Sequence, residues 1–189
     1  MLLALSMAGG HSVGLLFALF VFGATVYTVS SGDGIRIFRK PSGGGGVRHF
    51  KEGASQTFIA GDIVKLITTA TKGDEIQLAT ATDADNTNVG IALEPATGVE
   101  GTLLAVAVFD ESAEFLVAVA DTQTLDANKI GLDYGKVRDG TNNIWRLDQT
   151  NTTQKIFHVI GFAPGYGHGD TNGKYLVRQA VNKAALFSN

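Results

Sequence analysis

The side chains able to do chemistry are few and scattered. The four histidines, His11, His49, His158 and His168, each stand alone. None falls in an H-x-x-x-H or H-E-x-x-H spacing that would set two imidazoles on one helical face for zinc. His158 lies in Lys155-Ile-Phe-His-Val-Ile160, where strand alternation turns it to the face opposite Phe157 and Val159,. That makes it an exposed or cross-strand residue. His168 sits in Gly165-Tyr-Gly-His-Gly-Asp170, whose glycines read as turn chemistry,. Asp83, Asp85, Thr87 and Glu94 fall at the ligand offsets of an EF-hand loop,. The sharp-turn glycine is replaced there by Asn88, and Val89 to Leu93 reads as a strand, so a solvated acidic turn is the expectation. Gly43 to Gly46 lacks the Lys-Ser/Thr that closes a phosphate cradle, and no G-x-S-x-G elbow occurs,. Asn151-Thr-Thr153 has the spacing of a glycosylation acceptor,. Trp145 and Tyr166 are interface-anchor types, although Trp145 alternates with Ile144 and Arg146 as a core residue would,. No catalytic residue, cofactor-binding residue or metal ligand is assigned, and the reading is a protein that is not an enzyme and uses no cofactor.

Composition points the same way. There is no cysteine, which removes disulfides, thiolate metal sites and cysteine nucleophiles,. The formal net charge of −3 gives no bulk attraction to nucleic acid,. Only 17% of residues are charged, against about 25% in an average soluble domain,. Glycine reaches 24 residues and proline only 3. Few charges and many small residues suit a surface that is covered in an assembly.

Three zones must position these residues. Residues 1–32 contain no Asp, Glu, Lys or Arg, and their centre, Val13 to Val29, is mostly apolar. This length sits at the lower limit for a membrane span, and no basic residue precedes it as in a signal peptide. Its end, Ala24-Thr-Val-Tyr-Thr-Val29, leans to strand,, so an extended apolar arm is expected. Residues 33–52 read as a basic, glycine-rich tether: Arg36, Arg39, Lys40, Arg48 and Lys51 against Asp33 and Glu52, around Pro41-Ser-Gly-Gly-Gly-Gly46,. Residues 53–189 form the body. Its predicted strands are Phe58–Ile59 with Asp62–Thr68, Glu75–Ala79, Val89–Glu94, Leu103–Phe109, Glu114–Ala120, Lys129–Leu132, Ile144–Leu147, Ile156–Phe162 and Lys174–Val181. Turns rich in Gly, Asn and Asp separate them. Many short strands at regular spacing predict an all-β sandwich or barrel. No internal repeat is visible.

Three phrases of the body resemble the capsid decoration, or cement, proteins of tailed phages. They are Glu52-Gly-Ala-Ser-Gln-Thr-Phe-Ile-Ala-Gly-Asp-Ile-Val-Lys-Leu66, then Asn88-Val-Gly-Ile-Ala-Leu-Glu-Pro-Ala-Thr-Gly98 with Leu103-Leu-Ala-Val-Ala-Val-Phe-Asp110 and Glu114-Phe115, then Gly169-Asp-Thr-Asn-Gly-Lys-Tyr-Leu-Val-Arg178. The resemblance covers about residues 50 to 181 and rests on the order of the phrases. It implies a compact β-domain on the outside of a virion that binds the major capsid protein lattice and stabilises the head. It also implies a homo-oligomer, trimer or dimer, with no specific nucleic acid and no membrane. The apolar extension before Asp33 departs from the family pattern. The alternative is a pilin-like filament subunit, in which an apolar amino-terminal helix precedes a β-domain; the absence of basic residues ahead of the apolar run weighs against it.

Overall fold

The computed structural model describes residues 35–39, 46–68, 73–109 and 113–180. The expected arm, residues 1–32, lies outside the described residues. Among those described, the regular structure is all β, apart from two single-turn 3-10 helices, Asp85–Thr87 and Ala127–Lys129. The strands are β1 (Arg36–Arg39), β2 (Val47–Glu52), β3 (Ile63–Leu66), β4 (Glu75–Leu78), β5 (Asn88–Ala92), β6 (Leu103–Val108), β7 (Glu114–Ala118), β8 (Asp133–Arg138), β9 (Trp145–Asp148), β10 (Phe157–Phe162) and β11 (Lys174–Gln179).

Three expectations about strands are corrected. The tether is not a plain linker, because Arg36–Arg39 pairs with β7 and Val47–Glu52 is a barrel strand. Four of its cations, Arg36, Arg39, Arg48 and Lys51, are carried on paired backbone, and Lys40 lies outside the described residues; on β2, Arg48, His49 and Lys51 are exposed, while Phe50 and Glu52 are buried. Lys129–Leu132 is a turn and not a strand; the strand follows it at Asp133. Phe58–Ile59 likewise stays outside the strands.

Strands β2 to β6 close into a barrel in the order β2-β4-β3-β5-β6. β4 runs parallel to β2, and the other pairings are antiparallel. The remaining strands form a six-stranded sheet, β1-β7-β11-β10-β8-β9. This sheet curls until its far side meets β7 again. Val119, just past β7, makes a parallel bridge to Leu147 of β9, and the Ala120 N–H donates to the Leu147 carbonyl at 2.9 Å.

Taken in chain order, β7 to β11 repeat the plan of β2 to β6. In each set the first strand lies parallel to the third, and the sequence of antiparallel neighbours is the same. The registers also agree. Glu52 opposite Ile76 corresponds to Val119 opposite Leu147. Phe50 faces Leu104 as Val117 faces Tyr175, and Gly90 faces Val108 as Phe157 faces Gln179. The Gly53 N–H donates to Ile76 at 2.9 Å, the counterpart of Ala120 to Leu147. The Phe109 N–H donates to Val89 at 2.8 Å, and Ala180 to Ile156 at 3.0 Å. Gly61 and Gly131 both lie at positive φ, 96° and 84°, where a Cβ is disfavoured,. Their N–H groups donate to the matching carbonyls of Ala92 (2.8 Å) and Val159 (2.7 Å). One side-chain device is also shared: Gln56 Oε1 accepts from the Leu78 N–H (3.1 Å), and Gln123 Oε1 from the Gln149 N–H (2.9 Å). The body is therefore a duplicated five-stranded unit, and the expectation of no internal repeat is corrected. The duplication lives in hydrogen-bond register, which tolerates nearly any side chain.

The cores follow from this plan. Inside the barrel pack Phe50, Phe58, Val64, Ile76, Leu104 and Val106. Their counterparts Val117, Leu125, Tyr134, Leu147, Tyr175 and Val177 fill the second unit. Alternation turns Ile63, Ile91 and Ala107 out of the barrel, and there they join the second unit's cluster, with Phe115 and Trp145,. Phe109, at the junction, packs edge-on against Phe115 (5.4 Å between centroids) and Phe157 (6.3 Å),. The two units thus share one apolar layer, and an Arg138–Asp62 ion pair at 3.2 Å clasps them.

Candidate contact surface

The described surface carries two features that could meet a partner. The first is at one end of the barrel. Val99 and Leu103 are 62% and 61% exposed, the most exposed large apolar side chains described. The loop that carries Val99 and leads into Leu103, the first residue of β6, is anchored from below by Glu52, which is fully buried. The Glu52 carboxylate accepts from the Thr97 N–H (2.9 Å), the Thr97 hydroxyl (2.7 Å) and the Gly98 N–H (2.7 Å). Burial opposes its ionisation, but these three donors outweigh that and hold the carboxyl below the usual range,. The Glu52 carbonyl also accepts from Gly101, and the Thr102 hydroxyl donates to the Val99 carbonyl. A buried carboxylate with all its donors in place makes this loop a rigid pedestal for two apolar side chains.

The second feature is an open hollow of about 420 Å³, lined by Gly131, Leu132, Asp133, Tyr134, Thr152, Lys155 and His158. Across β8 and β10, His158 Nδ1 lies 2.7 Å from Asp133 Oδ1, both side chains being 37% exposed. The alternation of β10 places His158 outward and Phe157 and Val159 inward, as the sequence implies. An imidazole–carboxylate pair can shuttle a proton, yet it needs a nucleophile or bound water and a second polar group aimed at the same point. The other side chains of the lining are Leu132, Tyr134, Thr152 and one lysine, Lys155.

The other sequence candidates are dispersed. His49 is exposed on β2, and His11 lies outside the described residues. The His168 ring accepts from the Ala127 N–H at 3.2 Å. The Asp83 carboxylate is bound by the Lys65 ammonium and the Thr80 N–H; burial opposes its charge, but these partners hold its pKa low. The Thr87 hydroxyl donates to the Ala84 carbonyl, and Glu94 accepts from the Ala105 N–H. These groups serve the local backbone, and no cluster of three potential metal ligands occurs among the described residues. The Asn151 side chain caps Thr153 and Gln154 and packs against Gly135. Trp145 is buried, with the Lys136 ammonium 5.8 Å from its ring centroid, and Tyr166 is 39% exposed.

Three of the buried charges that sequence reasoning missed tie elements together. Arg146 reaches Asp121 (2.8 Å), Asp139 (3.5 Å) and the Val119 carbonyl (3.3 Å), tying β9 to the end of β7. Burial pushes the Asp62 carboxyl above its usual range, against the pull of the Ile59 N–H, Arg138 and Trp145. Glu52 is the third. Each needed a long-range partner, and only Glu52 had a local sign: an isolated carboxylate ending an otherwise basic strand. No helix among the described residues is long and apolar enough to cross a membrane. No protein-family model matches the chain, and no curated protein matches it.

Proposed function

We propose that this chain is a structural virion protein, a capsid decoration or cement protein that binds the major capsid protein lattice on the outside of a tailed-phage head. It performs no reaction, and its partners are the shell and other copies of itself. The observation that carries the reading is the rigid pedestal at the end of the barrel, where Glu52 and Thr97 hold Val99 and Leu103 out to solvent. Apolar side chains on a fixed backbone lose little conformational freedom on docking, and burial rewards them at about 25 cal/mol per Å². One such contact is weak, but repetition over a lattice multiplies occupancy. The ordered phrases of residues 50 to 181 point to the same class of protein.

Co-sedimentation with shells assembled from a tailed-phage major capsid protein tests this. The parent chain should pellet with the shells, and Val99→Asp/Leu103→Asp should lose at least tenfold in bound fraction while keeping its far-UV circular dichroism. A parent that stays in the supernatant overturns the proposal. A double variant that pellets like the parent removes the pedestal from it.

A further inference from the structure

Within the chain the two five-stranded units meet through unlike faces. The outer face of the barrel contributes Ile63, Ile91 and Ala107, three neighbours across β3, β5 and β6, and all are buried in the shared layer. The second unit meets them with a different part of its surface. Arg138, at the end of β8, reaches Asp62, and Asn143, Ile144 and Trp145 close over Ile59 to Asp62, leaving a gap of only about 10 Å³. Contacts between unlike faces do not close on themselves, so the same step could be repeated by another unit.

The place where a third unit would add can be read from the register. Ile63, Ile91 and Ala107 correspond to Asp133, His158 and Arg178, which are likewise neighbours across three strands. Gly61 and Asp62, covered in the barrel, correspond to Gly131 and Leu132, which line the open hollow. Three apolar side chains are thus exchanged for an Asp–His pair and an arginine that is bonded to Glu114 at 2.8 Å. On the opposite end of the chain the exchange runs the same way. Arg48 and Asp74 stand on the barrel where Phe115 and Trp145 stand on the second unit, and both are exposed. Covering these groups with an apolar face would strip their water without returning the hydrogen bonds.

We infer that the outward face of β8, β10 and β11 is a cap. Asp133, His158 and Arg178 stop a second copy of this chain from stacking on the second unit as that unit stacks on the barrel. The inference does not depend on the proposed function; it says which surface is closed to self-association by this route.

The test restores the two ends separately. One variant carries Asp133→Ile and His158→Ile, the other Arg48→Phe and Asp74→Trp, and each is first shown to keep the parent's far-UV circular dichroism. In sedimentation velocity each variant alone should have the mass of the parent. An equimolar mixture should form a 1:1 complex of twice that mass, and neither variant should pair with the parent. Single His158→Ile mixed with the Phe/Trp variant should give a weaker complex of the same stoichiometry, and it replaces the double variant if that does not fold. No complex in the mixtures overturns the cap, and so does pairing of the isoleucine variant with itself or with the parent.

Discussion

The two five-stranded units use one set of hydrogen-bond partners and arrive at different degrees of closure. In the barrel, β2 and β4 pair over two residues and the ring is complete. In the second unit, β7 and β9 meet at a single bridge beyond the end of β7. The two units also differ in what fills the middle. At Gly90 a Cβ would come within 2.0 Å of the Ala107 carbonyl oxygen, so β5 and β6 approach as closely as backbone allows. The counterpart is Phe157, fully buried against Phe109. Val64 and Leu104 are likewise replaced by Tyr134 and Tyr175. The exchange runs the other way at Phe50 and Phe58, whose counterparts are Val117 and Leu125, so bulk is redistributed within the second unit and not simply added. Backbone register is thus shared by the two units, while different side chains fill them.

The largest expected effect sharpens this contrast. Phe157→Ala should cost about 3–5 kcal/mol in urea unfolding, because it empties the middle of the second unit. Gly90→Ala should cost about 1–3 kcal/mol for the opposite reason, a methyl group forced against backbone. Equal tolerance of both changes would break the comparison. Next come the shared glutamines. Gln56→Ala and Gln123→Ala each leave one strand-end N–H without its acceptor, and each should cost about 1–2 kcal/mol,. A loss confined to one of them would mean that the units are held differently.

Acidification separates Glu52 from Asp62. Glu52 is held below its usual range, so the stability it contributes is full above its unfolded value near ~4.3 and is lost as pH falls through the folded value,. Asp62 is shifted upward, so its contribution is full below about 3.9 and is lost as pH rises through the folded value,. Chemical denaturation across the acid range should therefore show a shallower loss for Glu52→Gln and a steeper one for Asp62→Asn. The smallest effect belongs to Lys51→Ala. It removes an ion pair to Asp74 at 2.6 Å that is exposed at both ends, and no change in unfolding midpoint beyond measurement error is expected,.

Alternation made most of the barrel and much of the second unit legible in the sequence, since Val, Ile, Leu and Phe mark alternate positions of β5, β6 and the first half of β10. β2 was hidden because it follows four glycines and carries three exposed basic or imidazole side chains, Arg48, His49 and Lys51, leaving only Val47 and Phe50 as apolar marks. β8 was hidden because its buried positions include Gly135 and Lys136, and the apolar residues Ile130 and Leu132 before it drew the strand too early. The duplication left Gln56 with Gln123, Thr57 with Thr124, Gly61 with Gly131 and Val106 with Val177, too thin a trace to find without the register. The contact surface was less legible still. Val99 reads as an ordinary turn residue and Leu103 as an ordinary strand residue, and nothing local shows that the buried Glu52 fixes the loop between them.

Hydrogen-bond scalar couplings measured by NMR on the isotope-labelled chain test the shared plan of the two units most directly. A coupling from the Gly53 amide to the Ile76 carbonyl and a matching one from Ala120 to Leu147 are expected. A coupling at Gly53 together with an Ala120 amide that exchanges freely, or that couples to another carbonyl, would contradict it.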